Sequence, residues 1–265
     1  MRSITAILLF VAAPVSAQIN CEAGPSAVPA AAVNAVSLRT LVWTPFRKLE
    51  MGWETYAPLI ATEVATTCPF ISPGFAAALA TWQRGKRLAP TGVVDAQTFA
   101  AMYAIWQGRR PFTRKRDVCP PPPPVVLAAK GYLGKTVKLR PKALGAYRAM
   151  VAAAHVDLPA LRRDARWLAI YSGFRDPASD AARCALEGNC DGSRRAVCSP
   201  HRTGLAVDIY VGNASGHDPV STKDHNRRAM SKTPAYRWLV ANARRFGFVN
   251  YAYEPWHWEW TGEAP

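Results

Sequence analysis

Two short stretches, residues 199–208 (SPHRTGLAVD) and residues 254–258 (EPWHW), decide how the C-terminal half of the chain is interpreted. His201 and Asp208 stand at the two sides of a Thr-Gly pair that permits a tight turn. A strand after this turn can direct the Asp208 carboxylate back beside the imidazole of His201. With His257 from the second stretch, two imidazoles and one carboxylate make an open zinc site. The spacing alone also fits surface or hydrogen-bonded core residues.

Glu254 precedes His257 by three positions, which in a regular strand would place the two side chains on opposite faces. They share a site only if the chain bends between them, and Pro255 is compatible with a bend at the start of a strand. Glu254 would then be the general base of a hydrolytic reaction.

Three motifs of the C-terminal half resemble those of the VanY-like D-alanyl-D-alanine carboxypeptidases. The pattern Ser-x-His-x-x-Gly-x-Ala-x-Asp fits residues 199–208, the pattern Glu-Pro-Trp-His fits residues 254–257, and Ser-Gly-aromatic-Arg fits residues 172–175. The motifs follow the family's order, and the resemblance spans about residues 139–260. It implies an α+β fold with a central antiparallel sheet, the hedgehog-like fold of zinc D,D-peptidases.

The resemblance also implies roles for single residues. It assigns zinc to His201, Asp208 and His257, and the role of general base to Glu254. Arg175 would donate to the scissile carbonyl oxygen as negative charge develops there. The alternative for Arg175 is a structural ion pair.

Two further residues are assigned to substrate binding, each with an alternative. Ser199 could orient the terminal carboxylate of the substrate or cap its own turn, and Trp256 could line the pocket or belong to the core. The sequence departs from the family at Asp180, where the family often carries a substrate-binding Gln. The preference for substrate is therefore less well defined than the metal site.

Residues 75–99 resemble the second half of a peptidoglycan-binding-like helical module. A predicted helix ends in a Trp-Gln pair at residues 82–83, and a Pro-Thr-Gly turn at residues 90–92 leads to Asp95, which can cap the next helix. The resemblance implies a small all-α domain, assigned to residues 38–112, that binds cell wall. These motif residues build mostly turns and core, so they indicate a fold more directly than a ligand.

A run of five prolines at residues 120–124 marks the boundary between the two parts. Such a run favours the extended polyproline conformation and predicts a stiff spacer. We assign residues 113–124 to the linker and residues 125–265 to the zinc D,D-carboxypeptidase domain.

The C-terminal domain is predicted to mix helices and strands. Pro141 opens a helix with an apolar face. Strands are predicted at residues 167–171, 205–210 and 251–260, and a helix begins at the Thr-Pro pair of residues 233–234 and ends at Gly247.

The first 17 residues are predicted to be an export signal, since a short apolar run follows Arg2 and a Val-Ser-Ala cleavage pattern ends at Ala17. No later stretch is predicted to cross a membrane. The formal charge of +15 predicts attraction to polyanions. Because export argues against nucleic acid, cell-wall polymers are the expected partners of a monomeric protein in the periplasm or outside the cell.

Six cysteines in an exported chain favour disulfides, and six allow 15 pairings. They are Cys21, Cys68, Cys119, Cys184, Cys190 and Cys198. None has zinc-finger spacing, so they are not interpreted as metal ligands.

The function predicted from the sequence is that of a zinc peptidase that removes the terminal D-alanine from peptidoglycan stem peptides. The same mechanism could instead serve an endopeptidase acting on L-alanyl-D-glutamate or cross-bridge bonds. A catalytically silent wall-binding protein is the alternative from a different class, and an intact Glu254 argues against it.

Overall fold

The computed structural model describes residues 21–22, 25–112, 121–186 and 199–264. Several sequence predictions lie outside the described residues: the export signal at residues 1–17, Cys119, Cys190, Cys198, and the side chains of Asp180 and Cys184. Among the helices within these ranges, none combines the length and the apolar character needed to span a bilayer.

The N-terminal part is mainly helical. Its elements are α1 (Val28–Thr40), the hairpin of β1 (Val42–Trp43) and β2 (Glu50–Met51), α2 (Ala57–Glu63), α3 (Pro73–Gly85) and α4 (Ala96–Gly108). One disulfide, Cys21–Cys68, lies within this part.

The motif residues of this part build turns and core. Asp95 caps α4 as predicted, since its carboxylate accepts a hydrogen bond from the Thr98 N–H at 2.7 Å. The buried Gln83 amide accepts from the Gly92 N–H at 2.8 Å and donates to the Val93 carbonyl at 3.1 Å. Gln83 thereby pairs backbone groups at the end of the Pro-Thr-Gly turn, where Gly92 is buried.

The C-terminal part has mixed α and β structure. Its elements are β3 (Leu127–Lys130), β4 (Thr136–Leu139), α5 (Pro141–Asp157), β5 (Ile170–Ser172), α6 (Pro177–Leu186), β6 (Ala206–Ile209), α7 (Asp224–Ser231), α8 (Pro234–Asn242), β7 (Phe248–Asn250) and β8 (His257–Trp260). β3 and β4 form a hairpin, and the other four strands form an antiparallel sheet in the order β5-β6-β8-β7. This confirms a mixed fold with antiparallel sheets.

The strand predicted at residues 167–171 is wrong in its first half. Strand β5 begins only at Ile170, because Leu168 adopts a left-handed conformation with φ of 63°. Trp167 belongs to the turn before it, where its N–H donates to the Asp164 carbonyl at 3.0 Å. Local turn hydrogen bonds therefore outweigh the apolar pattern of this stretch.

The strand predicted at residues 251–260 is also wrong in its first part. The Glu254 N–H donates to the Tyr251 carbonyl at 2.8 Å, and the His257 N–H donates to the Glu254 carbonyl at 2.9 Å, so the chain turns twice. The side chain of Asn250 supports this turn by donating to the Glu254 and His257 carbonyls. Residues 251–256 are thus the turn of a hairpin whose other strand, β7, the sequence analysis missed.

Both predicted helices of the C-terminal part are present, but the second α-helix ends at Asn242 and not at Gly247. α5 begins at Pro141, and the Thr233 hydroxyl caps α8 by accepting from the Tyr236 N–H at 3.2 Å. Gly247, with φ of 81°, ends the short 3-10 turn that follows α8. α5 and α8 pack on the sheet through a core that includes Leu144, Met150, Ile209, Leu239 and Phe248.

The two parts contact each other directly instead of being held apart. Arg227 of α7 is 1% exposed, and its Nη2 donates to the Glu50 carboxylate at 2.7 Å and to the Tyr56 hydroxyl at 3.0 Å. Its Nη1 donates to the Tyr253 carbonyl at 3.2 Å. Arg227 therefore links the N-terminal part to the turn of residues 251–256. In the described end of the linker, residues 121–124, Pro123 lies against Gly204 of the C-terminal part.

We expect Arg227→Met to lower the free energy of unfolding by about 3–5 kcal/mol, because it leaves the buried Glu50 carboxylate without its cation. Urea unfolding followed by circular dichroism measures this loss. The control is Arg228→Ala, which removes a more exposed ion pair with Asp224 and should cost about 1 kcal/mol or less. Equal, small effects of both changes would contradict a stabilising role for the contact.

Candidate metal centre

The sheet register brings Asp208 and His257 side by side. On the central strand β6, Asp208 pairs with Ser172 of β5 on one side and with His257 of β8 on the other. Directly opposed residues of antiparallel strands have their side chains on the same face, about 5 Å apart at Cβ. Two of the predicted ligands are therefore fixed by backbone pairing.

His201 reaches the same place from a 3-10 turn, Pro200–Thr203, that leads into β6. Ser199 caps this turn by accepting a hydrogen bond from the His201 N–H at 3.3 Å. Gly204 closes it with φ of 69°, a backbone conformation that residues other than glycine rarely adopt. The Thr-Gly pair noted in the sequence thus provides the predicted turn.

The carbonyl of Gly173 orients the ring of His201, whose Nδ1 lies 2.8 Å from that oxygen. A carbonyl only accepts hydrogen bonds, so Nδ1 carries the proton and Nε2 presents its lone pair to the site. Gly173 itself is confined, because a Cβ there would lie 2.4 Å from the Lys138 carbonyl oxygen. Only glycine fits this close approach.

His201, Asp208 and His257 form one buried group. Each offers one ligand atom, and these atoms all lie within 4.8 Å of one another. His201 Nε2 is 3.2 Å from Asp208 Oδ2, and His257 Nδ1 is 3.0 Å from Asp208 Oδ1. The structure brings together the three residues that the sequence analysis assigned to the metal.

The chemistry of this group fits a divalent cation. The outer nitrogen of each imidazole faces an acceptor, which is the Gly173 carbonyl for His201 and the Glu259 carboxylate at 3.2 Å for His257. In their neutral forms both rings therefore turn a lone pair towards the Asp208 carboxylate. Converging electron-rich atoms in a buried site need a proton or a metal ion between them. Two imidazoles and one carboxylate are also the ligand set of open zinc sites.

The pKa values of His257 and Asp208 are shifted in the directions that favour positive charge at this site. Burial alone would lower the pKa of His257, but the hydrogen bonds to Asp208 and Glu259 outweigh it and raise the pKa to about 9. Burial would raise the pKa of Asp208, but the neighbouring His201 and His257 hold it well below its ordinary value. The site is thus negative enough to hold a proton or a cation at neutral pH.

Glu254 stands beside this group, in the turn before β8. Its side chain is half-buried, and burial raises its pKa above the ordinary value, while His257 acts in the opposite direction. Asp208 and His201 are also close enough to shift it. A carboxyl group with a raised pKa is suited to accept and return a proton near neutral pH.

The three residues that were predicted to contact the substrate differ in their burial and in their contacts. Arg175 is half-buried beside the His201 turn, where its backbone N–H donates to the His201 carbonyl at 3.1 Å. Ser199 caps the turn, which is the structural alternative considered for it. Trp256 is 3% exposed and belongs to the hydrophobic core, which is the alternative considered for it.

Two residues near the predicted ligands, Glu259 and Arg110, are not part of any motif recognised in the sequence. Glu259 lies two positions after His257 on the same strand, and alternation alone places both side chains on one face. Arg110 contacts Glu259 across 149 positions of sequence, a distance at which no sequence pattern would have indicated the pair.

A mixed fold in which two imidazoles and a carboxylate are grouped beside a second carboxyl group fits a hydrolytic enzyme. More particularly, residues 136–263 match the family model of VanY, D-alanyl-D-alanine carboxypeptidase. The match supports a peptidase in this part of the chain, and it includes every residue that the sequence analysis assigned to the site. A search of curated proteins finds no match.

Proposed function

We propose that the protein is a zinc-dependent D-alanyl-D-alanine carboxypeptidase that removes the terminal D-alanine from peptidoglycan stem peptides. The observation that carries this proposal is the convergence of His201, Asp208 and His257 beside Glu254. It occurs within the region that matches the VanY family.

In the proposed mechanism, His201 Nε2, Asp208 and His257 Nδ1 would hold the metal. When bound, zinc would supply Lewis acidity, which polarises a carbonyl and lowers the pKa of water. Glu254 takes a proton from the attacking water as the water oxygen bonds to the scissile carbonyl carbon. Glu254 then passes that proton to the leaving nitrogen as the C–N bond breaks, which yields free D-alanine and a shortened peptide.

Arg175 is proposed to donate to the carbonyl oxygen as negative charge develops during the attack. Its backbone is tied to the His201 turn, and its Nη2 lies 3.4 Å from the Ser172 hydroxyl at the end of β5. The residue is therefore anchored to the turn that carries His201 and to β5, whose Ser172 pairs with Asp208. Such preorganised donors contribute strongly to catalysis because they need no reorientation during the reaction.

We expect Arg175→Ala to lower kcat by about 10²–10³-fold with zinc content unchanged, and Arg175→Lys to recover part of the loss. The rate of D-alanine release and metal analysis of the purified variants measure both quantities. The control is Arg245→Ala, since Arg245 is exposed and bonds the Asn242 side chain. A zinc-loaded Arg175→Ala enzyme with unchanged kcat would refute the proposed role.

The function is tested by incubating the zinc-loaded protein with a pentapeptide stem and, separately, with cross-linked muropeptides. Mass spectrometry should find a loss of one alanine from the pentapeptide. Cleavage of only the cross-linked or L-alanyl-D-glutamyl bonds would replace the proposal with an endopeptidase. No hydrolysis of either substrate with zinc bound would favour a wall-binding protein.

We further propose that the protein is exported as a monomer and acts on the cell wall. The charge of +15 supports attraction to anionic wall polymers. The helical N-terminal part, with the Gln83-centred turn, supports the proposed resemblance to peptidoglycan-binding-like modules.

A further inference from the structure

Glu259 is a buried carboxylate that no step of the proposed reaction uses. It is 1% exposed and lies on β8, on the same sheet face as His257. Its Oε1 is 3.2 Å from His257 Nε2, the ring nitrogen that faces away from Asp208. A carboxylate in this position accepts the Nε2 proton and leaves the Nδ1 lone pair for a metal.

The remaining partners of Glu259 come from the N-terminal part. Arg110 Nε donates to Glu259 Oε1 at 2.9 Å, and Arg110 Nη2 donates to the same oxygen. The backbone N–H of Phe112 donates to Oε2 at 3.3 Å. Three N–H donors of the N-terminal part therefore bind the Glu259 carboxylate, which also contacts His257, a predicted metal ligand on the same strand.

Arg110 is itself held in place. Its side chain is 9% exposed, its Nη1 donates to Gln107 Oε1 at 2.7 Å, and its guanidinium lies 4.3 Å from the ring centroid of Tyr251. Gln107 belongs to α4 and Tyr251 to the turn that carries Glu254. A charged side chain is buried only when its partners are fixed, and here both members of the ion pair have such partners.

We propose that Glu259 and Arg110 are positioning residues of the metal centre, and that the N-terminal helical part thereby completes it. Glu259 fixes the ring orientation and tautomer of His257, and Arg110 fixes Glu259. This inference rests on the proposed function only in taking His257 as a metal ligand. A partner that orients a ligating histidine typically contributes about 10–100-fold to metal affinity or activity.

The test is the zinc affinity of the full-length chain, measured by competition with a chromophoric chelator. Glu259→Gln keeps the shape but weakens the acceptor and removes the charge, and we expect zinc affinity to fall about 10–100-fold. Arg110→Gln is expected to cause a loss in the same direction, and Arg110→Lys should restore part of it. The visible spectrum of the cobalt(II)-substituted variants should differ from wild type, because the orientation of His257 changes.

The matched control is Arg109→Gln, next to Arg110 in the chain. Arg109 pairs with Glu63 at 2.7 Å within the N-terminal part and contacts none of the metal ligands in the described structure. We expect this change to leave zinc affinity and the cobalt spectrum unchanged. Melting curves of all variants identify any that unfold, and affinities are compared only between folded proteins.

A purely structural ion pair would give a different result. Glu259→Gln and Arg110→Gln would then lower the melting temperature but bind zinc with wild-type affinity and an unaltered cobalt spectrum, which would overturn the proposal. If Glu259→Gln does not fold, a wild-type affinity of folded Arg110→Gln is enough to overturn it. A wild-type chain that binds zinc without cleaving stem peptides would refute the proposed function and leave this test intact.

Discussion

Replacing Glu254 with Gln is expected to lower kcat for D-alanine release by about 10²–10⁴-fold, the range attributed to general acid–base catalysis. The amide has nearly the same shape as the carboxylate but cannot take a proton from water. Because Glu254 is not among the three grouped ligand residues, zinc should remain bound. Rate measurements and metal analysis on the same sample separate these two effects.

Glu263→Gln provides the comparison for this variant. Glu263 is in the same part of the chain but pairs with Arg140 and Lys142. It should keep the wild-type rate. If Glu254→Gln retained full activity, another group would have to move the proton, and the role assigned here would be withdrawn.

Removal of the metal is expected to lower the rate of hydrolysis at least as strongly as the Glu254→Gln change. A chelator should abolish hydrolysis and lower the melting temperature, because a ligand that binds only the folded chain stabilises it by about 2.7 kcal/mol at 100 times its dissociation constant. Added zinc should restore both. His257→Ala removes a ligand, so its hydrolysis should remain low after zinc is added.

Calorimetry and activity assays before and after chelation measure these changes. Metal analysis must show that the chelated protein contains no zinc. Chelated Arg245→Ala serves as a control variant, whose hydrolysis should recover fully when zinc is added. Hydrolysis at the original rate by a metal-free protein would end the case for a zinc peptidase.

The group of His201, Asp208 and His257 could be predicted because its motifs resemble those of a known family and because the turns that place these residues are short-range. The turn at residues 199–204 and the alternation of β6 fix His201 and Asp208, and the bend at Pro255 does bring Glu254 towards His257. The first residues of strands β5 and β8 were predicted less accurately. Apolar and aromatic residues at 167–169 and 251–256 resemble strand sequence, but their backbone groups bond within turns.

The contacts between the two parts could not be predicted at all. Arg227 and Glu50 are 177 positions apart, and each alone looks like an ordinary surface charge. The proline run predicts separation, whereas the folded chain buries these charges against each other. Only the packing of the N-terminal part on α7 shows that these two charges are partners.

The ion pair between Arg110 and Glu259 limits how this protein can be re-engineered. Exchanging the helical part for an unrelated targeting module would leave an uncompensated carboxylate beside His257. A working chimaera would have to supply a cation at the same place or replace Glu259 with a neutral acceptor. Grafting the catalytic part elsewhere is therefore a problem of interface design, and a longer linker alone would not solve it.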